Sequence, residues 1–406
     1  MYNDYRMNDE NVKDYQGYEQ IIKTIKSRFM TYGYKRIKTP AFEQYDLYSE
    51  VKSSINQNEM IKVIDQTGEV LVIRPDVTIP ITRQLAQETR TLENERRYFY
   101  VQDVFRQPAE RGDQIESTQA GVEYFGENSP EADAEVIALA CQTLQDLGFH
   151  DVKIEIGDAG FFQDLIDEIE LTQNEFKELK NMIQAKNGID IRPFLDRLKV
   201  KPEIAEAIAR IPFLYGNPIE VSERAKDIAL TEKMKDKINH LIHVYEILNI
   251  YGLEKNIVMD LGLINQMGYY SDIIFQGFVE KIGKPVLMGG RYDQLASEFG
   301  ASIPAIGFAC EVEALIQAIS DQEITSAPID FTIIYEKELI TDSIVVASSL
   351  REQEYRVLSL KNGKEVELHS FYTIHMKSDG NTIQGQEKIE NFSDINELLR
   401  LIEGGI

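Results

Sequence analysis

Two neighbouring segments decide the fold: RYFYVQDVF at residues 97–105 and TQAGVEY at residues 118–124. The first carries aromatic and β-branched residues on both alternating faces, which is typical of a central strand packed on two sides. The second resumes a strand pattern after a loop of charged and small residues, Gln107 to Ser117. Together the two segments predict an antiparallel pair of strands joined by a long loop.

Further helices and strands are predicted on either side of this pair. Ile21, Ile25 and Phe29 recur at helical spacing and Gly33 follows as a stop, so residues 19–32 form a predicted helix. Ser129 and Pro130 supply a capping hydroxyl and a first-turn proline for another helix. Helices are also predicted at 78–87, 291–299 and 311–319, and strands at 70–73, 152–156, 257–263, 269–279 and 285–288.

The order of these patterns predicts two domains. Residues 1–324 form the predicted core, with a mainly helical insertion at about 165–250 between its strands. Residues 325–328 resemble a linker, and residues 328–406 form a predicted small C-terminal α/β domain. That domain opens with an apolar strand, Phe331 to Tyr335, followed by a helix through Leu350 and a strand at 355–360.

Composition excludes several classes of protein. The chain has 406 residues, of which 43 are Lys or Arg and 68 are Asp or Glu, so the formal net charge is −25. Proteins that bind nucleic acid need a dense basic face, so nucleic acid is not an expected partner. No apolar run approaches the roughly 18 residues of a membrane span, and the start of the chain does not resemble a signal peptide. Cys141 and Cys310 lie in separate apolar segments, which fits the reducing cytoplasm.

Motifs for metal or phosphate binding are weak in this sequence. His240 and His243 are three residues apart on a predicted helix, but no Cys, Asp or Glu cluster completes a metal site. A packed or surface pair is therefore expected, and no metal or cofactor is predicted. Gly289 and Gly290 follow a predicted strand. Two adjacent glycines form a tight turn more often than a phosphate-binding turn, so a tight turn is expected here.

A set of polar residues lies in or beside predicted strands, where a core would favour apolar ones. The set is Arg74, Asp76, Arg106, Gln119, Glu123, Tyr269 and Tyr270. Buried charge is costly unless it is paired, so these residues either satisfy one another or line a ligand pocket. A pocket would suit a small zwitterion, with carboxylates for a cation, an arginine for a carboxylate and tyrosines for a planar group.

Several of these segments, taken in order, resemble the catalytic core of class II histidyl-tRNA synthetases over about residues 15–320. The segments are IRPDVT at 73–78, VFR at 104–106, TQAGVE at 118–123, MGGRYD at 288–293 and AIGFA at 305–309. The resemblance implies an α+β fold: a class II aminoacyl-tRNA synthetase-like antiparallel sheet of six or seven strands, flanked by helices and interrupted by a helical insertion. It also implies a dimer.

The chain departs from the synthetase pattern at the positions that hold ATP. Asp113 and Ile115 stand where the synthetases have arginines, and Asn265 replaces a further arginine that assists carboxylate activation. Ala314 replaces the arginine of the last motif, and Glu311 adds a negative charge there. Each lost contact to a developing charge costs a few kcal/mol in the transition state. Adenylate formation is therefore not expected, and no catalytic residue is assigned.

The positions that hold histidine in the synthetases are matched in chemical type. They correspond to Asp76, Thr78, Arg106, Gln119, Glu123, Tyr269 and Tyr270. A retained amino-acid pocket without the ATP contacts resembles the family of ATP phosphoribosyltransferase regulatory subunits, which are noncatalytic synthetase paralogues of histidine biosynthesis. The resemblance implies a short-form catalytic subunit, HisG, as partner, a role in its activity and in feedback inhibition by histidine, and a hetero-octamer that contains a self-dimer. A divergent histidyl-tRNA synthetase and an orphan histidine-sensing paralogue are the alternatives.

Overall fold

The computed structural model describes residues 9–49, 57–92, 94–107, 115–264, 268–319, 329–363, 370–385 and 388–403. The chain divides into two compact units: residues 18–322 form the larger one, and residues 1–17 group with residues 323–406 in the smaller one. The predicted linker at 325–328 lies outside the described residues. No helix in the described ranges has both the length and the apolar character to cross a membrane.

The strands are, in chain order, β1 (Lys35–Arg36), β2 (Phe42–Gln44), β3 (Lys62–Ile64), β4 (Val70–Ile73), β5 (Arg96–Phe105), β6 (Glu116–Phe125), β7 (Lys153–Asp158), β8 (Tyr215–Gly216), β9 (Ile257–Asp260), β10 (Ile273–Phe278), β11 (Leu287–Arg291), β12 (Ala305–Glu311), β13 (Ile329–Tyr335), β14 (Val357–Lys361), β15 (Ser370–Lys377), β16 (Gly380–Gln384) and β17 (Ile389–Phe392).

The helices are α1 (Asp9–Thr31), α2 (Asp46–Ser49), α3 (Thr78–Glu88), α4 (Pro130–Asp146), α5 (Ala159–Ile166), α6 (Gln173–Gln184), α7 (Gly188–Arg197), α8 (Pro202–Arg210), α9 (Pro218–Lys226), α10 (Glu232–Ile250), α11 (Leu295–Glu298), α12 (Val312–Ile319), α13 (Ile340–Glu352) and α14 (Ile395–Glu403).

The main sheet of the larger unit has nine described strands in the order β1-β5-β6-β12-β11-β10-β7-β9-β8. Its six central strands, from β5 to β7, are all antiparallel, as the resemblance implies. The edges differ from the expectation, because β1 pairs with β5 and β9 pairs with β7 in parallel. β1 has only two residues and was not predicted, whereas β9 was predicted as part of a strand at 257–263, but the direction of its pairing does not follow from its own residues.

The predicted pair at residues 97–105 and 118–124 is confirmed. β5 and β6 pair over ten residues each, from Arg96 opposite Phe125 to Phe105 opposite Glu116. Alternating aromatic side chains pack on both sides of this pair. On one side, the Phe29 ring of α1 lies 6.0 Å from the Phe99 ring, so this helix covers part of the sheet.

Predicted helix starts and the helical insertion are also confirmed. Ser129 caps α4 by accepting a hydrogen bond from the Ala132 backbone N–H, with Pro130 at the first helical position. Helices α5 to α10 occupy most of residues 159–250 between β7 and β9.

Three predictions between residues 269 and 299 are wrong. Tyr269 and Tyr270 lie before β10, which begins only at Ile273. Gly289 and Gly290 form neither kind of turn, because both lie within β11 and face β12 across the sheet. Of the predicted helix at 291–299, only the four residues of α11 are helical. Arg291 instead ends β11, where its buried guanidinium is paired with an aspartate.

The C-terminal strands form a separate five-stranded sheet in the order β14-β13-β15-β16-β17. The predicted first strand, helix and second strand correspond to β13, α13 and β14. β15 to β17 and α14 lie beyond the last strand that was predicted in this domain, at 355–360. β4 was predicted as a buried strand, but it lies in a small three-stranded sheet with β2 and β3 and its Val70 is exposed.

A buried charge network joins α4, β11 and α10. Asp133 is fully buried and accepts a hydrogen bond from Arg291 Nε at 3.0 Å, while His240 Nε2 contacts its other oxygen at 2.7 Å. His243 faces solvent, so the two histidines share no ligand. No group of three or more potential metal-ligating side chains occurs in the described part of the chain. His240 is part of the buried charge network around Asp133.

This network predicts a pH-dependent stability. The hydrogen bond that His240 Nε2 donates to the Asp133 carboxylate raises the pKa of His240 above its ordinary value of about 6.5. The stabilisation by protonated His240 is fully present below that ordinary pKa and is lost as the pH rises through the raised folded-state pKa. We expect His240→Gln to lower the free energy of unfolding by on the order of 1 kcal/mol more at pH 6 than at pH 8.5.

Denaturant unfolding at the two pH values measures this difference. His243→Gln is the matched control, because His243 is exposed one turn further along the same helix, and its effect should be the same at both pH values. An equal loss of stability at pH 6 and pH 8.5 for His240→Gln would contradict the role of the histidine charge.

Candidate functional site

One cavity of about 70 Å³ brings together all seven residues that the sequence singled out as a site. This volume is several times the roughly 10–15 Å³ that one water molecule needs, so the cavity has room for a small molecule. Its lining is Asp76, Thr78, Tyr100, Arg106, Gln119, Glu123, Tyr269, Tyr270, Pro285, Leu287, Met288, Tyr292, Gly307, Phe308, Ala309 and Glu311.

Glycines on neighbouring strands leave room for two side chains of the cavity. Gly307 on β12 lies opposite Glu123 on β6, and a Cβ atom there would lie 2.2 Å from Glu123 Oε2. A Cβ atom at Gly290 on β11 would lie 2.7 Å from the ring of Tyr270. A side chain at Gly307 would therefore displace the Glu123 carboxyl group, and one at Gly290 would displace the Tyr270 ring.

Glu123 is the most enclosed acid of the cavity, with 1% of its surface exposed. Thr78 Oγ1 at the start of α3 donates a hydrogen bond to Glu123 Oε1 at 2.6 Å, and the Tyr292 hydroxyl donates to Oε2. Burial nevertheless raises the pKa of Glu123 to about 8. Three distant segments therefore meet at one carboxyl group that can hold a proton at neutral pH.

Asp76 is the second buried acid of the cavity. Burial raises its pKa, although its Oδ1 accepts a hydrogen bond from the Ile79 backbone N–H at 2.8 Å. The Asp76 side chain thus both stabilises the first turn of α3 and lines the cavity. A cationic group of a ligand placed beside these two acids would favour their charged forms.

Tyrosine rings form one wall of the cavity. The rings of Tyr269 and Tyr270 lie 4.9 Å apart, and Tyr292 lies 5.9 Å from the first and 6.5 Å from the second. Burial raises the pKa of all three hydroxyl groups, so they remain neutral donors. A planar group of a ligand would find aromatic faces and hydroxyl groups together on this wall.

Arg106 supplies positive charge to the cavity. Its Nε donates to the Pro75 carbonyl at 2.8 Å, whereas its Nη2 is buried and has no hydrogen-bond partner in the described structure. A buried unpaired donor costs about 1–3 kcal/mol, more when charged, so this nitrogen is suited to an anionic ligand group. Arg106 does not neutralise Glu123, whose two oxygens are bonded by Thr78 and Tyr292.

Gln119 precedes Glu123 on β6 and contacts Glu311, a residue that was noted only as a difference from the synthetase pattern. Its Nε2 donates to Glu311 Oε1 at 2.7 Å, and both side chains line the cavity. Ala314 is on α12, and Ile115 is exposed before β6. The other two departures from the synthetase pattern, Asp113 and Asn265, lie outside the described residues.

Arg74 was grouped with the site residues but has a structural role. Its guanidinium donates to the backbone carbonyls of Asp103, Thr39 and Pro40 at 2.7–3.0 Å, and it does not line the cavity. Sequence reasoning also missed Tyr100 and Tyr292 as cavity residues. Both lie in quoted segments, but no local pattern distinguishes a tyrosine that faces a pocket from one in the core.

Comparisons with known proteins show which family the chain resembles over its length. The family model for histidyl-tRNA synthetase matches residues 7–315. The chain is 42% identical to the ATP phosphoribosyltransferase regulatory subunit of Oceanobacillus iheyensis over 96% of this chain and 95% of that protein. It is 33% identical to the regulatory subunit of Ruminiclostridium cellulolyticum over 89% of this chain and 87% of that one.

Solved structures are similar over most of the chain as well. A Bacillus halodurans crystal structure, described as an ATP phosphoribosyltransferase regulatory subunit/histidyl-tRNA synthetase, aligns with a TM-score of 0.75 and 28% identity, covering 87% of this chain and 90% of that one. Histidyl-tRNA synthetase from Nostoc sp. aligns with a TM-score of 0.78 over 96% of this chain and 95% of that one, but at 18% identity it shares the fold alone. The chain therefore belongs to the family of noncatalytic ATP phosphoribosyltransferase regulatory subunits, which have a class II histidyl-tRNA synthetase-like fold.

Proposed function

We propose that this regulatory subunit binds free histidine in the cavity and conveys its concentration to the catalytic subunit of ATP phosphoribosyltransferase. The observation that carries the proposal is the unpaired Nη2 of Arg106, which lies in the same cavity as the buried acids Asp76 and Glu123. These groups complement a zwitterion. The proposal agrees with the names of the relatives, which are regulatory subunits.

Each part of histidine has a complementary group in this arrangement. The α-carboxylate would pair with the Arg106 guanidinium, since charge-assisted bonds between arginine and carboxylate are strong. The α-ammonium and the ring N–H would meet the carboxyl and amide oxygens of Asp76, Glu123 and Gln119. The imidazole plane would lie against the tyrosine wall formed by Tyr269 and Tyr270.

The same cavity is poorly suited to adenylate formation. Arg106 is the one Lys or Arg among the described residues that line it, and Ala314 stands where the synthetase pattern has an arginine. A nucleotide triphosphate needs several cations or metal ions around its phosphates. We therefore favour a sensor over a divergent histidyl-tRNA synthetase, and the net charge of −25 also disfavours a tRNA partner.

The partner in this proposal is the short-form catalytic subunit, HisG, which needs this chain for full activity in the cytoplasm. We infer a hetero-octamer of four and four subunits, built on a self-dimer. Phe42, which lies opposite Ile73 in the small three-stranded sheet and is 55% exposed, offers apolar surface for the self-dimer. Feedback inhibition requires that histidine bind two states of the complex with different affinity.

Histidine binding is tested by titration calorimetry on cavity variants. Arg106→Ala should weaken histidine binding about 10- to 100-fold, because a hydrogen bond to a charged group contributes roughly 1.5–3 kcal/mol. Glu123→Gln should weaken it as well, because the variant cannot form a carboxylate.

Arg36→Ala, on the exposed edge strand β1, is the matched control and should bind like the unmodified chain. Circular dichroism and the thermal midpoint establish that each variant is folded. Histidine affinity that is the same in both cavity variants and the control would rule out the cavity as the histidine site.

The regulatory role is tested by measuring phosphoribosyl-ATP formation by the catalytic subunit alone, with this chain, and with this chain plus histidine. Activity should rise when the chain is added and fall when histidine follows. With Arg106→Ala, stimulation should persist while the histidine concentration for half inhibition rises 10- to 100-fold, in parallel with the binding constant.

The pure chain should show no histidine-dependent exchange between ATP and diphosphate. Measurable exchange would favour a synthetase, and an unchanged rate of the catalytic subunit in the presence of this chain would favour an orphan sensor.

A further inference from the structure

Glu311 lines the cavity but has no role in the proposed binding of histidine. It is the last residue of β12 and lies opposite Gln119 on β6. The Gln119 amide donates to Glu311 Oε1 at 2.7 Å, so the carboxylate is held in a fixed position instead of turning freely into solvent. A charged side chain fixed on a cavity wall affects which ligands can enter.

Strand register places Glu311 at the opposite end of the cavity from Glu123. Gly307 faces Glu123 and Glu311 faces Gln119, so the two acids are four residues apart along the same face of the sheet. At about 3.3 Å per residue, this spacing corresponds to roughly 13 Å. Glu123 is almost fully enclosed, whereas Met288, which pairs with Ala309 beside Glu311, is 40% exposed. Glu311 therefore lies at the mouth.

A second acid, Glu313 on α12, lies near Glu311. Its carboxylate accepts the Thr118 backbone N–H with both oxygens at 3.0 Å. Burial raises the pKa of Glu313, and the charge of Glu311 adds to this increase. Phosphate groups, which carry negative charge, would meet these acids as they approach the mouth.

We propose that Glu311 determines the class of ligand that the cavity accepts, by repelling amino-acid derivatives that carry a phosphate or phosphoryl-nucleoside group. The inference rests on the proposed histidine site. A free amino acid fits within the enclosed end, whereas a substituent on it extends toward the mouth and meets the fixed carboxylate. Repulsion between like charges a few ångströms apart in a partly buried site is strong enough to exclude a competitor.

This role would make the sensor selective for the free amino acid over its phosphorylated relatives. Selectivity of this kind needs a repulsive element against the competitor as well as attraction for the correct ligand. Arg106 provides attraction for a carboxylate and would by itself also attract a phosphate. Glu311 supplies the repulsion that Arg106 cannot.

The test compares L-histidinol with its O-phosphate ester, two ligands that differ only in the phosphate group. Titration calorimetry on the full chain should show that the ester binds at least 10-fold more weakly than histidinol. Glu311→Gln retains an oxygen that can accept the Gln119 hydrogen bond but removes the charge, so it should reduce this ratio to about threefold or less. Raising the salt concentration should also reduce the ratio in the unmodified chain.

Glu116→Gln is the matched control. Glu116 is exposed at the start of the same strand β6, an odd number of residues from Gln119, and therefore on the other face of the sheet. This variant loses the same charge and should keep the ratio of the unmodified chain.

Three results would overturn the inference: a chain that binds histidine but neither histidinol nor its ester, an ester that binds the unmodified chain as tightly as histidinol, or a ratio that Glu311→Gln leaves unchanged. In these cases free histidine would still bind, and the proposed function would stand. If the unmodified chain does not bind histidine, the proposed function fails and this inference fails with it.

Discussion

The burial of the Glu123 carboxyl group is the constraint on which the rest of the cavity depends. An enclosed acid is costly unless hydrogen bonds satisfy it, and here the two donors come from distant segments, Thr78 and Tyr292. The start of α3, the centre of β6 and the segment after β11 must therefore meet at one point. Gly307 allows this meeting, because any side chain there would collide with the carboxyl group. The cavity exists where these elements converge.

A second buried network stabilises the backbone position of Tyr292, one of these two donors. Arg291, next to Tyr292 in the chain, is fixed by Asp133 of α4 and Asp293, and Asp133 also contacts His240 of α10. Removing one partner of a buried ion pair typically costs about 3–5 kcal/mol, so the backbone at Tyr292 has little freedom. A helix of the insertion thus shares a charge network with the strand that positions a cavity residue. Precise placement of a binding group depends on such supporting contacts.

The sequence predicted the features that local patterns control. Aromatic alternation in β5 and β6 and the capping residues of α4 act over a few neighbours, and they are confirmed. The seven site residues were found because polar side chains in buried strands are unusual and family motifs mark the same positions, and the structure gathers them in one cavity. The bond between Gln119 and Glu311 joins residues 192 positions apart, so no local pattern reveals it. The glycines within β11 were misread as a turn for the same reason, since their role depends on a neighbouring strand.

Two groups of the cavity are in an unfavourable state without a ligand, which suits the proposed regulatory function. Arg106 has a buried nitrogen without a hydrogen-bond partner, and burial disfavours the charged form of Glu123. Both features make this arrangement costly relative to one in which these groups reach water. A zwitterion that pairs with them lowers the cost only in this arrangement, so it stabilises this state over others. Under the proposed function, the groups that recognise the ligand would also be those through which binding shifts the conformational equilibrium, and a partner that contacts one state more favourably would respond to the ligand without touching it.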